Sequence, residues 1–183
     1  MSKELIITNL EYRDKTYAAC CLFEDKKAVE MRICRADNKS LLGNIYVGKI
    51  EKYVKNIGAA FVRIGAELPE CYLEMKQMQN QGNNIIVQVS KDAVKMKAPC
   101  VTTNLNFPGK YLVLTTENTK LGISSKIDSE TREVLKKWIQ PLMDETFGVV
   151  VRTNAATAEK ADIMKEVEYL KKRCKKVCDI GVH

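Results

Sequence analysis

Gly43-Asn44-Ile45-Tyr46-Val47-Gly48-Lys49-Ile50 and Gly58-Ala59-Ala60-Phe61-Val62-Arg63-Ile64-Gly65 are the two stretches whose reading decides the fold. Each is rich in β-formers and carries glycine where a barrel strand must bend. In the second, Phe61 and Arg63 alternate with the apolar Val62 and Ile64, so the two pairs point to opposite faces of a strand. Residues 52–55 carry the first strand toward a turn near Asn56. Downstream, residues 71–73 read as a short third strand, 77–83 as a polar loop, 85–90 as a fourth strand and 101–103 as the start of a last one. Many short strands with glycine bends predict a small barrel.

Before that block, apolar runs at 5–8, 17–23 and 28–34 are separated by polar segments at 9–15 and 24–27, which predicts a meander of three strands followed by a linker over 35–40. After it, 111–114 and 149–152 read as strands around a helix over about 129–139, with Asp128 as N-cap and Val134, Leu135 and Trp138 as the buried face. The strand–helix–strand order implies a small α+β unit. Over 158–179, Ile163, Val167, Leu170, Cys174 and Val177 recur at alternating spacings of four and three, forming one helical stripe. The stripe is too short to define a coiled coil; it docks on its own or a neighbouring domain, or seeks a partner. On the opposite face, Lys171-Lys172-Arg173 and Lys175-Lys176 either touch phosphates or form a solvated helix end, where cations suit the C-terminal dipole.

The 183 residues suffice for one ordinary domain or two small ones, and the 45% hydrophobic content can bury a core. No apolar run approaches the ~18 residues of a membrane span, so no membrane partner is expected. Met1-Ser2-Lys3-Glu4 runs straight into Leu5-Ile6-Ile7, which is too short for a signal peptide. The seven cysteines are odd in number and irregularly spaced, which predicts reduced thiols and a cytoplasmic location. Cys174, Cys178 and His183 have a spacing that a metal could use, but there is no second ligand pair, and one face of a helix explains the two cysteines equally well. The net charge of +7 and pI of about 9.0 fit either a polyanionic partner such as nucleic acid or a solvated basic surface.

Single-stranded RNA is held by base stacking on aromatic faces and by cations along its backbone. Tyr46, Phe61 and Tyr72 fall on successive barrel strands, interleaved with Lys49, Lys52, Arg63, Lys95 and Lys97. Tyr46 is expected in the core. Phe61 and Tyr72 are expected on an RNA-binding face, Phe61 because it shares strand parity with Arg63. Farther on, Arg152 and Thr153 end an apolar strand; the pair can present a guanidinium fork and a hydroxyl to a phosphate, or be an ordinary strand end. Metal-dependent hydrolysis would need carboxylates converging on strand ends, and none is convincing: Asp92 follows a strand but lies in a basic loop beside Lys91. A Gly-rich phosphate loop and a nucleophile elbow are both missing, and the single histidine, His183, argues against His-based catalysis.

Taken in order, several segments resemble the ribonuclease E/G endoribonucleases of bacteria, with closer likeness to the shorter ribonuclease G branch. They are Gly43–Lys49, Ala59–Gly65, Ile86–Val89, Val101–Thr103, Pro108–Leu114, Gly122–Ser124 and Val150–Thr153. The resemblance implies an α+β, mostly β chain in three parts. Residues 1–40 would be part of an RNase H-like subdomain, 41–102 an S1-type OB-fold RNA-binding domain, and 103–183 a 5′-sensor-like α+β region with a C-terminal helix. It implies RNA contacts from Phe61, Tyr72 and Lys97, beside which Lys49 and Arg63 join as cations, and a 5′-monophosphate site at Gly109, Val113, Arg152 and Thr153. The family's Mg²⁺-binding carboxylates and its paired-cysteine zinc link lie beyond the sensor, past residue 183, and Cys174 and Cys178 do not match that link. The resemblance therefore implies an amino-terminal portion, with no catalytic or metal residues and no cofactor of its own, that holds RNA without cutting it. Its expected partners are single-stranded RNA and either the missing catalytic portion or another nuclease chain. A standalone OB-fold module that pairs or competes with a full-length nuclease is the alternative.

Overall fold

The computed structural model describes residues 2–36, 40–74 and 84–180. The loop expected at 77–83 and the C-terminal His183 lie outside these residues. The chain divides into two compact units, Met1–Ser40 and Leu41–His183.

The first unit is an antiparallel meander of β1 (Lys3–Tyr12), β2 (Lys15–Glu24) and β3 (Lys27–Arg35). β1 is ten residues long, rather than the four apolar ones expected, because it pairs with β2 from Lys3↔Glu24 to Tyr12↔Lys15. The turns are reduced to Arg13-Asp14 and Asp25-Lys26, all four residues with positive φ. Two left-handed residues in a row twist a two-residue hairpin in the sense its strands require. Ladder pairing thus overrides the polar residues that read as turn.

The second unit begins with a closed five-strand barrel. Its strands are β4 (Ile45–Val54), β5 (Ala59–Arg63), β6 (Cys71–Glu74), β7 (Asn84–Lys91) and β8 (Cys100–Thr102), joined in the order β4-β5-β6-β8-β7. Alternation sends Ala60, Val62, Leu73, Val87, Val89 and Val101 into its core. Tyr46 packs against that core, as expected. At Gly48 a Cβ would stand 2.5 Å from Val62 Cγ1, so β4 crosses β5 where only glycine fits. A bulge between Ile50 and Lys52 then bends β4 and re-aims its outer side chains.

The chain continues into β9 (Asn106–Pro108), β10 (Leu112–Thr115), β11 (Leu121–Ile123), α1 (Ser129–Ile139), β12 (Gly148–Val151) and α2 (Lys160–Ile180). The sheet order is β11-β12-β10-β9, with β11 parallel to β12 through the α1 crossover. β9 and β11, three residues each, carry too little pattern to be recognised in the sequence. Asp128 caps α1, its Oδ1 accepting from the Thr131 N–H at 2.8 Å. On that helix Leu135 and Ile139 are buried, Trp138 packs at the rim, and Val134 is exposed, contrary to expectation. Ile139, one turn after Leu135, takes the inward position instead. On α2, Ile163, Val167 and Leu170 are buried against Phe107, Leu112 and Leu114, with Cys174 and Val177 at the edge of the same cluster. The apolar stripe therefore docks on the protein's own sheet; burying each such side chain contributes about 1.5–3 kcal/mol.

Gln88 joins barrel and sheet. Its Nε2 donates to the carbonyls of Gly43 (2.9 Å) and Asn106 (3.0 Å), and its Oε1 accepts from the Asn106 N–H (2.7 Å). It is one of two buried polar residues among those described, and these bonds satisfy its amide at both ends.

Candidate functional site

The outer face of the barrel gathers five of the side chains singled out in the sequence. On β5, Val62 is buried while Phe61 is half-buried and Arg63 exposed; on β6, Cys71 and Leu73 are buried around a half-buried Tyr72. Phe61 and Tyr72 are register partners, their rings edge to face with centroids 6.3 Å apart. Lys49, exposed between the buried Gly48 and Ile50, is the register partner of Arg63. The bulge brings Lys52 opposite Phe61. Two aromatic rings and three cations thus share one face. Arg63 also has carboxylates in reach: its Nε is 3.3 Å from Glu51 Oε1, and its Nη2 is 3.8 Å from Glu70 Oε1. Lys97 closes a tight turn with Val94, each residue's N–H donating to the other's carbonyl, and Lys95 within it has φ 54°. Two residues on, the Pro99 carbonyl accepts from the Tyr72 N–H at 2.8 Å, which fastens this basic turn beside the aromatic strand.

A second cluster surrounds the turn at Gly109, Lys110 and Tyr111 between β9 and β10. Arg152 follows β12 and clasps this turn twice. Its N–H donates to the Tyr111 carbonyl and its Nη1 to the Gly109 carbonyl, both at 2.8 Å. Thr153 opens the 3-10 turn Thr153–Thr157 and is exposed. The structure thus brings Gly109 and Arg152 into contact, with Thr153 adjacent. Val113 sits farther along β10, paired with Val150 and Pro108 on the sheet face opposite Leu112 and Leu114.

Two participants escaped the sequence reading. Asn154 Nδ2 donates to the Lys110 carbonyl at 3.5 Å. Glu166 accepts from three consecutive backbone N–H groups, Lys110 through Oε1 at 2.6 Å and Tyr111 and Leu112 through Oε2 at 2.8 and 3.0 Å. The signal was available for Glu166: it stands three residues after Ile163 and four before Leu170, a charge in register with an apolar stripe. A Cβ at Gly109 would lie 2.5 Å from Glu166 Cδ, so a side chain there would displace the carboxylate from the three amides. The Lys110 ammonium lies 4.7 Å from the centre of the Tyr111 ring, and Tyr111 holds its pKa above the ordinary lysine value.

Residues 106–181 match the Ribonuclease E/G family, a span from β9 to the end of α2 that contains the whole Gly109–Arg152–Glu166 arrangement. The chain is 31% identical over 173 residues to ribonuclease G of Haemophilus influenzae and 32% identical over 173 residues to ribonuclease G of Escherichia coli K12; each alignment covers 82% of this chain and 35% of the relative. It is 30% identical over 173 residues to a putative ribonuclease E of Buchnera aphidicola, with 83% of this chain and 42% of the relative covered.

The chain belongs to the ribonuclease E/G family.

It spans about a third of the length of the ribonuclease G relatives it matches. In this ribonuclease E/G chain, no three His, Cys, Asp or Glu side chains among the described residues converge as a metal site would require. All seven cysteines are free thiols. Burial, then the neighbouring Cys178, pushes the Cys174 thiol up to about 12; burial, then Cys100, pushes Cys71 up to about 11. No helix among the described residues is long and apolar enough to cross a membrane. In the basic run of α2, Lys171 turns inward: its ammonium pairs with Asp144 at 3.4 Å and lies 4.8 Å from the centre of the Phe147 ring.

Proposed function

We propose that this chain binds single-stranded RNA and recognises its 5′-monophosphate, as part of a cytoplasmic endoribonuclease of the ribonuclease E/G type acting in RNA processing and decay. The observation that carries the proposal is the outer barrel face, where the Phe61–Tyr72 ring pair is bordered by Lys49, Lys52 and Arg63. Aromatic rings flanked by cations are what stacked bases and their phosphates require. In this assignment the barrel, residues 41–102, is an S1-type OB fold, residues 1–40 are part of an RNase H-like subdomain, and residues 103–183 form the 5′-sensor region. The sensor takes the phosphate at Arg152 and Thr153 beside Gly109 and Val113. Arg152 supports this because it offers a fixed fork: one arm is anchored on Gly109 and the rest of the exposed residue is available to an anion. These residues are assigned to holding RNA, and cleavage with Mg²⁺ is assigned to the complete enzyme.

Fluorescence anisotropy with 3′-labelled oligonucleotides tests both halves. Binding should weaken steeply with salt, as phosphate contacts demand, and a 5′-monophosphate should bind more tightly than a 5′-hydroxyl. Equal affinity for the two ends removes the sensor, and salt-independent or absent binding removes the RNA face.

A second role is favoured by one feature. Ile6, Leu10, Met31 and Ile33 share one face of the β1–β3 sheet by register and are exposed, an apolar surface that suits a protein partner. We propose the remainder of the nuclease, or another nuclease chain, as that partner. A variant of that face with Ile6→Lys and Ile33→Lys that co-purifies with the nuclease as well as wild type would overturn it.

A further inference from the structure

Building on the phosphate recognition proposed above, we infer that Glu166 is a positioning residue of the phosphate pocket, acting on Arg152 through three intervening peptide planes. The planes are 109–110, 110–111 and 111–112. In a trans peptide the N–H and C=O point in opposite directions. Here every one of the three N–H groups donates to the Glu166 carboxylate. Every one of the three carbonyls accepts from the other side: Gly109 from Arg152 Nη1, Lys110 from Asn154 Nδ2 and Tyr111 from the Arg152 N–H. A carboxylate on one edge and, on the other, the Arg152 guanidinium, the Asn154 amide and the Arg152 backbone N–H thus hold the same three peptides in one orientation.

Successive backbone N–H groups facing one point make an anion-binding concavity. Here the anion is supplied by α2, from 54 to 56 residues away in sequence. Two consequences follow. Because the concavity is filled, a ligand phosphate is held from the Arg152 side, and the carboxylate sits across the peptide planes from it. The negative charge also polarises each peptide, which strengthens its carbonyl as an acceptor for the donor beyond, at Gly109 the Arg152 guanidinium. Gly109 is part of the device, since the carboxylate comes close enough to exclude a Cβ. Without the carboxylate, the three amides lose their partner, the peptides are free to rotate, and the Gly109 carbonyl no longer fixes the guanidinium.

The test compares Glu166→Ala and Glu166→Gln with wild type in the full chain, using 3′-labelled RNA ending in a 5′-monophosphate or a 5′-hydroxyl. Glutamine has the same shape but points an N–H₂ at one or more of the amides. Affinity for the hydroxyl RNA, which reports the barrel face, should stay within about twofold, while the preference for the monophosphate falls about fivefold or more, as losing a charged hydrogen bond predicts. A preference kept by both variants overturns the inference and leaves the sensor intact. So does a parallel loss for both RNAs, which would make Glu166 a residue of the fold only. If wild type itself has no preference, the sensor fails first and the role of Glu166 fails with it. Should Glu166→Ala unfold, judged by circular dichroism, the isosteric Glu166→Gln decides.

Discussion

Arg152 and Gly109, 43 residues apart in sequence, are joined by a 2.8 Å hydrogen bond from Nη1 to the carbonyl oxygen. Lysine at 152 would keep the charge but lose the planar fork that can hold this carbonyl and a phosphate together. Arg152→Lys should therefore lower the preference for 5′-monophosphate RNA about tenfold, on the order of one charged hydrogen bond, and leave 5′-hydroxyl RNA unaffected. Anisotropy titration reads both; an unchanged preference would remove Arg152 from the pocket.

Phe61 and Tyr72 are each expected to stack one base. Substituting either by alanine should cost about 1–3 kcal/mol of RNA affinity, or roughly 5- to 150-fold in Kd. Because the two rings touch, the double variant should lose less than the sum of the two. A strictly additive double variant would mean that they act apart, and two neutral single variants would sink the stacking face.

Gln88 is wired to Gly43 and Asn106 by three hydrogen bonds. Gln88→Leu keeps the volume but leaves buried backbone groups unpaired, at a cost of roughly 1–3 kcal/mol. Urea unfolding should show a lower midpoint with an unchanged slope. A changed slope would instead mean that barrel and sheet no longer unfold together.

An exposed thiol should react before those that burial keeps protonated. Cys34 is exposed, whereas Cys71 and Cys174 are held at about 11 and about 12. Pulsed iodoacetamide labelling at pH 8, read by mass spectrometry, should modify Cys34 early and the other two only on unfolding. Both folded pKa values lie above the ordinary thiol value of 9.0, so the unfolded chain releases these protons first. Their contribution to stability is complete below about pH 9 and is lost as pH rises toward 11 to 12. Early labelling of Cys174 would show that the end of α2 opens readily.

Local pattern went far here. Alternation in 59–65 placed Phe61 and Arg63 opposite Val62 and Ile64, because a strand has a period of two wherever its partner lies. The 4-3 spacing from Ile163 to Leu170 named the buried stripe of α2, and the side chain of Asp128 marked where α1 starts. Where reading failed, a long-range pairing was in control. β1 runs to Tyr12 through polar residues because β2 offers a ten-residue ladder. β9 and β11 exist as strands because β10 and β12 lie beside them.

The amino-acid sequence by itself thus determined which residues could be strand, stripe or cap, since those depend on chemistry within a turn or two of the chain. It also carried the family likeness, through motifs spread along most of its length. Only the tertiary structure decided which groups meet: Phe61 with Tyr72, Gln88 with Asn106, and Glu166 with the amides that set Arg152. Those contacts join residues from 11 to more than 50 positions apart, and hydrogen-bond geometry at that separation is fixed by how helix and sheet pack, a relation that local periodicity does not encode.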